Sequence, residues 1–365
     1  MKKFTLFVAA IMASAAMLAE GTFAVEKVWS VTENVPGSTN LRHGIGWDDL
    51  IYFVDKGELK VKTLDKDGVV ADYAAVNAGA AIGITVDGVG NLIVKNDWPA
   101  GLGSVQICKK GEKTFTTVTI CDVATDSRAD NITASGDVYS AEGGYVYVAG
   151  QGYTGVLRAH IAEGAFVKLD TVAQYPEKYE DNKNRTAAIA IPTTDGNYFV
   201  HLRSGQPYIW NVAEAKTATI TLPDFKPSTL GACTFELGGK VFYAYCAGTT
   251  NYSTDWNLYN LTDGELVNAE MLNLSSTAMN GGAGYNTNSL NCQKVDDNTV
   301  MIYQAAPTVA AGVWKLTYTP AEEPEIPTAV ENTTATVKVQ KLMRDGQVLM
   351  VRDGKTFNMM GQEIR

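Results

Sequence analysis

The sequence predicts an all-β fold, a six-bladed β-propeller, and three observations carry that expectation. Helical periodicity is nearly absent, whereas short alternating runs rich in Val, Ile, Tyr and Thr are punctuated by Gly, Asp and Asn. Six of these runs look alike and recur at roughly forty to sixty residues, the period of propeller blades. The sixth repeat also runs out of chain before its outer strand, while an isolated strand stands at the N-terminus.

The six anchor runs are 50–54 (LIYFV), 91–94 (NLIV), 145–148 (YVYV), 197–200 (NYFV), 240–245 (KVFYAY) and 299–303 (TVMIY). A turn precedes each, such as Asp195-Gly196 or Gly238-Gly239. An inner strand comes before the turn, as in 81–86 (AIGITV) or 187–191 (AAIAI), and its small residues suit the crowded centre of a propeller. A third strand follows the anchor, as in 105–107 or 313–316, and a fourth, such as 114–120 or 217–222, completes the first five units. For the sixth, the strand at 25–31 (VEKVWSV) is the candidate partner. Ring closure by that N-terminal strand removes open sheet edges. Seven blades, with one inside 249–290, is the alternative, and a β-sandwich pair gives no reason for so regular a period.

The ends differ in kind from the body. Lys2 and Lys3 precede an apolar run over 4–18, too short to span a bilayer, which reads as a signal peptide over 1–24 with cleavage after Ala24 or Ala19. The propeller is expected over 25–319. Residues 320–327 (PAEEPEIP) form a Pro/Glu linker, and 328–365 form a C-terminal tail. Within that tail Arg344-Asp345-Gly346 and Arg352-Asp353-Gly354 are turn signals on either side of an apolar alternation, which predicts a hairpin or a three-stranded unit. The stretches DGQVLMVRDGK (345–355) and FNMMGQEI (357–364) resemble the short C-terminal sorting tails of proteins that the Bacteroidetes export through the type IX secretion system. That resemblance implies an exported protein at the outer-membrane surface or outside the cell, reached through the periplasm, with the type IX machinery as a partner.

Composition sets further bounds. Hydrophobic residues make up 45% and charged residues 19%, a globular balance, and 34 Gly fit many tight turns. The formal net charge is −10, and both ends are weakly positive, so the body is more acidic than the whole chain. Such a surface repels nucleic acid and anionic lipid, and neither is expected as a partner. There is no CxxC and there are only three His, so neither a metal site nor a cofactor is expected. The five Cys include two pairs spaced thirteen apart, Cys108/Cys121 and Cys233/Cys246; in the expected hairpin register the second pair is offset by two from direct opposition. A disulfide between Cys233 and Cys246 and buried free thiols are both open. Asp65-Lys66-Asp67-Gly68 reads as a hairpin turn rather than a calcium loop, because the closing Glu is missing.

Propellers use the face where loops enter the inner strands. Those segments hold Asn40, Arg42, His43, Arg128, Asn131, Asn184, Arg185 and Asn286. Arg and Asn donors converging on one funnel suit carboxylates or sugar hydroxyls. Trp98, Tyr252 and Trp256 read as loop aromatics that stack on a sugar or a protein ligand. No GxSxG, HExxH or phosphate-loop motif occurs, so no catalytic residue is assigned. The expected function is an exported protein that presents the propeller's loop face to a glycan, a peptide or a host surface. A polysaccharide hydrolase or lyase and a structural envelope component are the alternatives.

Overall fold

The computed structural model describes residues 21–36, 41–55, 57–77, 83–95, 102–120, 132–149, 155–174, 188–193, 195–202, 206–222, 227–247, 254–267, 272–273, 289–321, 340–344, 347–352, 354–358 and 362–364. Among them there are strands and turns and no helix.

An N-terminal strand, β1 (Thr22–Val31), opens the chain. Blade 1 is β2 (Leu41–Trp47), β3 (Leu50–Asp55), β4 (Lys60–Leu64) and β5 (Val70–Ala75). Blade 2 is β6 (Gly83–Val86), β7 (Leu92–Lys95), β8 (Ser104–Cys108) and β9 (Thr116–Thr119). Blade 3 is β10 (Ile132–Gly136), β11 (Gly144–Val148), β12 (Gly155–Ala162) and β13 (Ala165–Gln174). Blade 4 is β14 (Ala188–Pro192), β15 (Tyr198–Leu202), β16 (Tyr208–Asn211) and β17 (Lys216–Thr219). Blade 5 is β18 (Pro227–Leu237), β19 (Lys240–Ala247), β20 (Asp255–Asn260) and β21 (Glu265–Leu266), and β22 (Leu272–Asn273) also pairs with β20. Blade 6 contributes β23 (Ser289–Asp296), β24 (Thr299–Ala306) and β25 (Ala310–Thr319), and β1 is its outer strand. Every blade is antiparallel, and the described residues form a six-bladed β-propeller closed by the N-terminal strand.

Burial explains why the second strand of each blade was the most legible in sequence. Every described residue of β7 and β15 is buried, as is Ile51–Asp55 of β3, because these strands are covered by neighbouring blades on both faces. A strand buried on both sides is a continuous apolar run. Outer strands keep one wet face, and β5 and β9 are mostly exposed. Apolar clusters run around the ring, and one joins Ile51 and Phe53 of blade 1 to Tyr303 and Val313 of blade 6. The turn between β2 and β3 has two residues, Asp48 and Asp49, at φ 49° and 62°. Positive φ at both positions gives the twist a two-residue hairpin needs, and Asp tolerates it.

Three features add to or revise the sequence reading. The compact unit spans Gly21–Pro320, and Thr22–Ala24 belong to β1 and pair with Thr317–Thr319. Phe23 packs its ring 4.8 Å from Phe242 and 4.9 Å from Tyr318, which is why the strand extends that far. Of the two readings left open for Cys233 and Cys246, the buried thiol holds, since neither is in a disulfide. Cys233 lies opposite Ala244, and a diagonal offset of two places Cα atoms about 7–8 Å apart, beyond disulfide reach. The tail belongs to the second unit and forms four strands: β26 (Gln340–Arg344), β27 (Gln347–Arg352), β28 (Lys355–Phe357) and β29 (Glu363–Ile364). The short pairing of Thr356 with Ile364 and Phe357 with Glu363 adds the strand that the alternation did not reveal. Asp65 behaves as the turn reading requires: its Oδ1 accepts from the N–H groups of Asp67 and Val69.

Candidate functional site

The inner strands β2, β6, β10, β14, β18 and β23 all line one central channel of about 360 Å³. They run in the same direction. Side chains of β23 reach β2 at a constant offset of 245 positions, pairing Ser289 with Gly44, Asn291 with Gly46 and Gln293 with Asp48. At the far end of the same channel the Gly88 N–H donates to Gly136 O at 2.8 Å, which aligns the ends of β6 and β10. Parallel alignment gathers the start of each inner strand at one mouth, where His43 and Ser289 line the wall and are buried.

Most polar groups of the wall hold blades together. Asn291 accepts from Gly46 N–H at 2.8 Å and donates back to Gly46 O at 2.7 Å. Gln293 accepts from Asp48 N–H and from the Tyr303 hydroxyl, and donates to Asp48 Oδ1 at 2.9 Å. Ser289 accepts from Gly44 N–H at 3.2 Å. This ladder needs glycine, because a Cβ on Gly46 would overlap the Tyr303 ring and one on Gly44 would lie 2.6 Å from the Ala305 methyl. Asp87 is the one carboxylate among the described lining residues. Its oxygens accept from Val89 N–H, Asn91 N–H, Asn91 Nδ2 and Val138 N–H, so it serves as a turn and inter-blade cap. At the rim, burial opposes ionisation of Asp48, but hydrogen bonds from Lys110 and Gln293 outweigh it and hold the carboxyl below its usual range. Between these polar ends Ile45, Ile84, Ile132 and Leu290 give the wall an apolar middle. An apolar wall with a few fixed polar groups, at this volume, is the profile of a small-ligand pocket.

Of the residues singled out in sequence, His43 lines the channel mouth. The backbone of Arg42 is in β2. Asn40, Arg128, Asn131, Asn184, Arg185, Asn286, Trp98 and Tyr252 lie outside the described residues. Trp256 corrects its expectation. It is not a loop aromatic but a fully buried residue of β20, edge-on to Trp314 with ring centroids 5.4 Å apart. The alternating Ser289-x-Asn291-x-Gln293 was missed, although a polar stripe on a strand and a second stripe, Gly44-x-Gly46, were visible as patterns. Their partnership was not, because 245 residues separate them.

No protein-family model matches the chain. No curated protein matches it either. Among solved structures, a protein of unknown function from Bacteroides thetaiotaomicron aligns with TM-score 0.51 at 10% identity, over 82% of this chain and 77% of that one. An auxiliary nutrient binding protein from Bacteroides ovatus aligns with TM-score 0.49 at 10% identity, over 82% and 78%. A gluconolactonase from Xanthomonas campestris gives TM-score 0.48 at 12% identity, over 84% and 92%. Identities this low speak to fold alone.

Proposed function

We propose that this is an exported binding protein that takes a glycan end at the mouth of the propeller channel. One observation carries the reading: the inner strands start together around a single apolar channel of about 360 Å³. In sequence, Asn40, Asn131, Arg185 and Asn286 stand within three residues of the first residue of an inner strand, at 41, 132, 188 and 289. Amide and guanidinium donors around an apolar shaft suit sugar hydroxyls above and a ring face within. Hydrolysis of a glycan chain would call for two facing carboxyl groups about 5–9 Å apart. Among the described lining residues Asp87 is the only carboxylate, and it is committed to holding a turn, so binding is better supported.

The test is a glycan array with Arg42→Ala and Arg185→Ala as controls. Loss of about tenfold in affinity for either variant is expected, as for a charge-assisted hydrogen bond of about 1.5 kcal/mol. Unchanged binding in both refutes the mouth as the site.

Export is the second half of the proposal, with the type IX machinery as the partner of the tail. The basic, apolar N-terminus and the tail stretches 345–355 and 357–364 support it. Among the described residues no helix is long and apolar enough to cross a membrane. The tail sheet lies in a different compact unit from the propeller. Removing 340–365 is therefore expected to leave a folded propeller retained in the periplasm, checked by cell fractionation and protease accessibility. Normal surface delivery of the shortened chain refutes the sorting role.

A further inference from the structure

We propose that Cys233 and Cys292 form a disulfide that staples blade 5 to blade 6 across the channel wall. The argument begins with strand alternation. Side chains on a strand point to opposite faces in turn. On β23, Ser289, Asn291 and Gln293 reach blade 1, so Leu290 and Cys292 face blade 5. On β18, Ala232 packs with Phe199 and Tyr243 in the cluster on the blade 4 side. Cys233 takes the other face and joins Leu290, Val300 and Ile302 of blade 6 in one apolar cluster, against which Cys292 packs. The two thiols therefore point into the same junction from adjacent inner strands.

Contacts agree with the alternation. The Cys292 thiol donates to the carbonyl of Thr234, the residue after Cys233, at 3.6 Å. The neighbouring Cys292 thiol first, and burial second, push the Cys233 thiol well above its usual range. Both residues line the channel, Cys233 is 6% exposed, and Cys292 is only partly buried. The channel thus gives a small disulfide oxidant access to Cys292 first. Cys246, the partner that spacing suggested, pairs across to Trp256 and is fully buried.

Oxidation runs by thiol–disulfide exchange with a low-molecular-weight disulfide such as oxidised glutathione. Cys292 loses its proton to solvent and its sulfur attacks the oxidant, forming a mixed disulfide and releasing one glutathione thiolate. Cys233 then loses its proton, and its sulfur attacks that of Cys292. The Cys233–Cys292 bond forms and the second glutathione thiolate leaves. Both thiolates take up the released protons, and the oxidant gains the two electrons that the cysteine pair gives up. The compartment where this happens in the cell rests on the export reading; its occurrence in the purified chain does not.

The test starts with the full chain purified reduced and then incubated, folded, with oxidised glutathione. Alkylation is expected to count five thiols before and three after. Peptide mapping without reductant is expected to recover the 233–292 linkage, with a rise in Tm of about 5 °C from closing the loop. Cys292→Ser and Cys233→Ala should each abolish the linkage and the Tm rise, whereas Cys246→Ser should leave both intact. Circular dichroism of each variant confirms that it folds. Five alkylated thiols after oxidation, or a linkage that survives Cys292→Ser, overturns the proposal. A 233–292 linkage in vitro in a chain that is never exported sinks the export reading alone.

Discussion

The two faces of strand β23 join the same blade to its two neighbours by opposite means. Toward blade 1 the strand offers Ser289 and Asn291, hydrogen-bonded to the backbone of β2, and Gln293, hydrogen-bonded to the backbone of the turn residue Asp48. Toward blade 5 it offers Leu290 and Cys292 to an apolar cluster. The polar face marks the seam where the ring closes on itself. The apolar packing of Ile51 and Phe53 with Tyr303 and Val313 holds the blades there but tolerates sliding, whereas directional bonds at a fixed offset specify one register. The apolar face joins blades already consecutive in sequence, so area suffices. The comparison teaches that a propeller can add directional bonds to apolar packing at the one junction where the ring must close in register.

Five substitutions or truncations sharpen or break this comparison. Gly46→Ala is the most severe, because the Tyr303 ring that the new methyl meets is itself buried and cannot retreat. A loss of about 3 kcal/mol, read by chemical denaturation, is expected. A mild effect would mean that the seam has slack. Leu290→Ala on the opposite face should cost about 2–3 kcal/mol through the cavity it leaves. Asn291→Ala removes two seam hydrogen bonds and leaves the partly buried Gly46 amide and carbonyl without them, for a cost of about 2 kcal/mol. If Asn291→Ala proved neutral while Leu290→Ala did not, the polar face would be decoration rather than a clasp.

Beginning the chain at Val25 rather than Gly21 tests the blade 5 side from its outer edge. Loss of the Phe23 ring from Phe242 and Tyr318 should cost about 1–2 kcal/mol. N-terminal sequencing of the exported protein then shows whether processing spares that ring. The smallest effect belongs to Asp48 at the rim of the polar face. Its folded-state carboxyl is held below the ordinary value near 3.9, so its contribution is present above that pH and is lost as pH falls through the folded value. Because the Asp48–Lys110 pair is about half exposed, solvent screening leaves only a few tenths of a kcal/mol. Asp48→Asn, which keeps the left-handed turn, should differ from the parent in denaturant midpoint at pH 7, and the difference should shrink as pH falls below the ordinary carboxyl range.

Legibility in the sequence followed the environment of each strand. The anchor runs 197–200 and 240–245 stood out because burial on both faces demands unbroken apolar residues. Strand β29 and the extension of β1 to Thr22 were not legible, since two- or three-residue pairings carry no periodicity. At the candidate site His43 was found because it follows a loop into an inner strand, and Trp256 was misplaced because nearby polar residues made its strand look like a loop. Cys292 drew no attention, having no spacing partner in the chain.

By itself the sequence determined the all-β class, the blade period and the N-terminal strand as the closing element. These depend on local alternation and on counting strands, both of which are linear properties. Tertiary structure alone decided which thiols face one another and which polar stripe meets which glycine stripe. Both pairings join residues of different blades, so their partners are set by how whole sheets pack and leave no mark in the spacing.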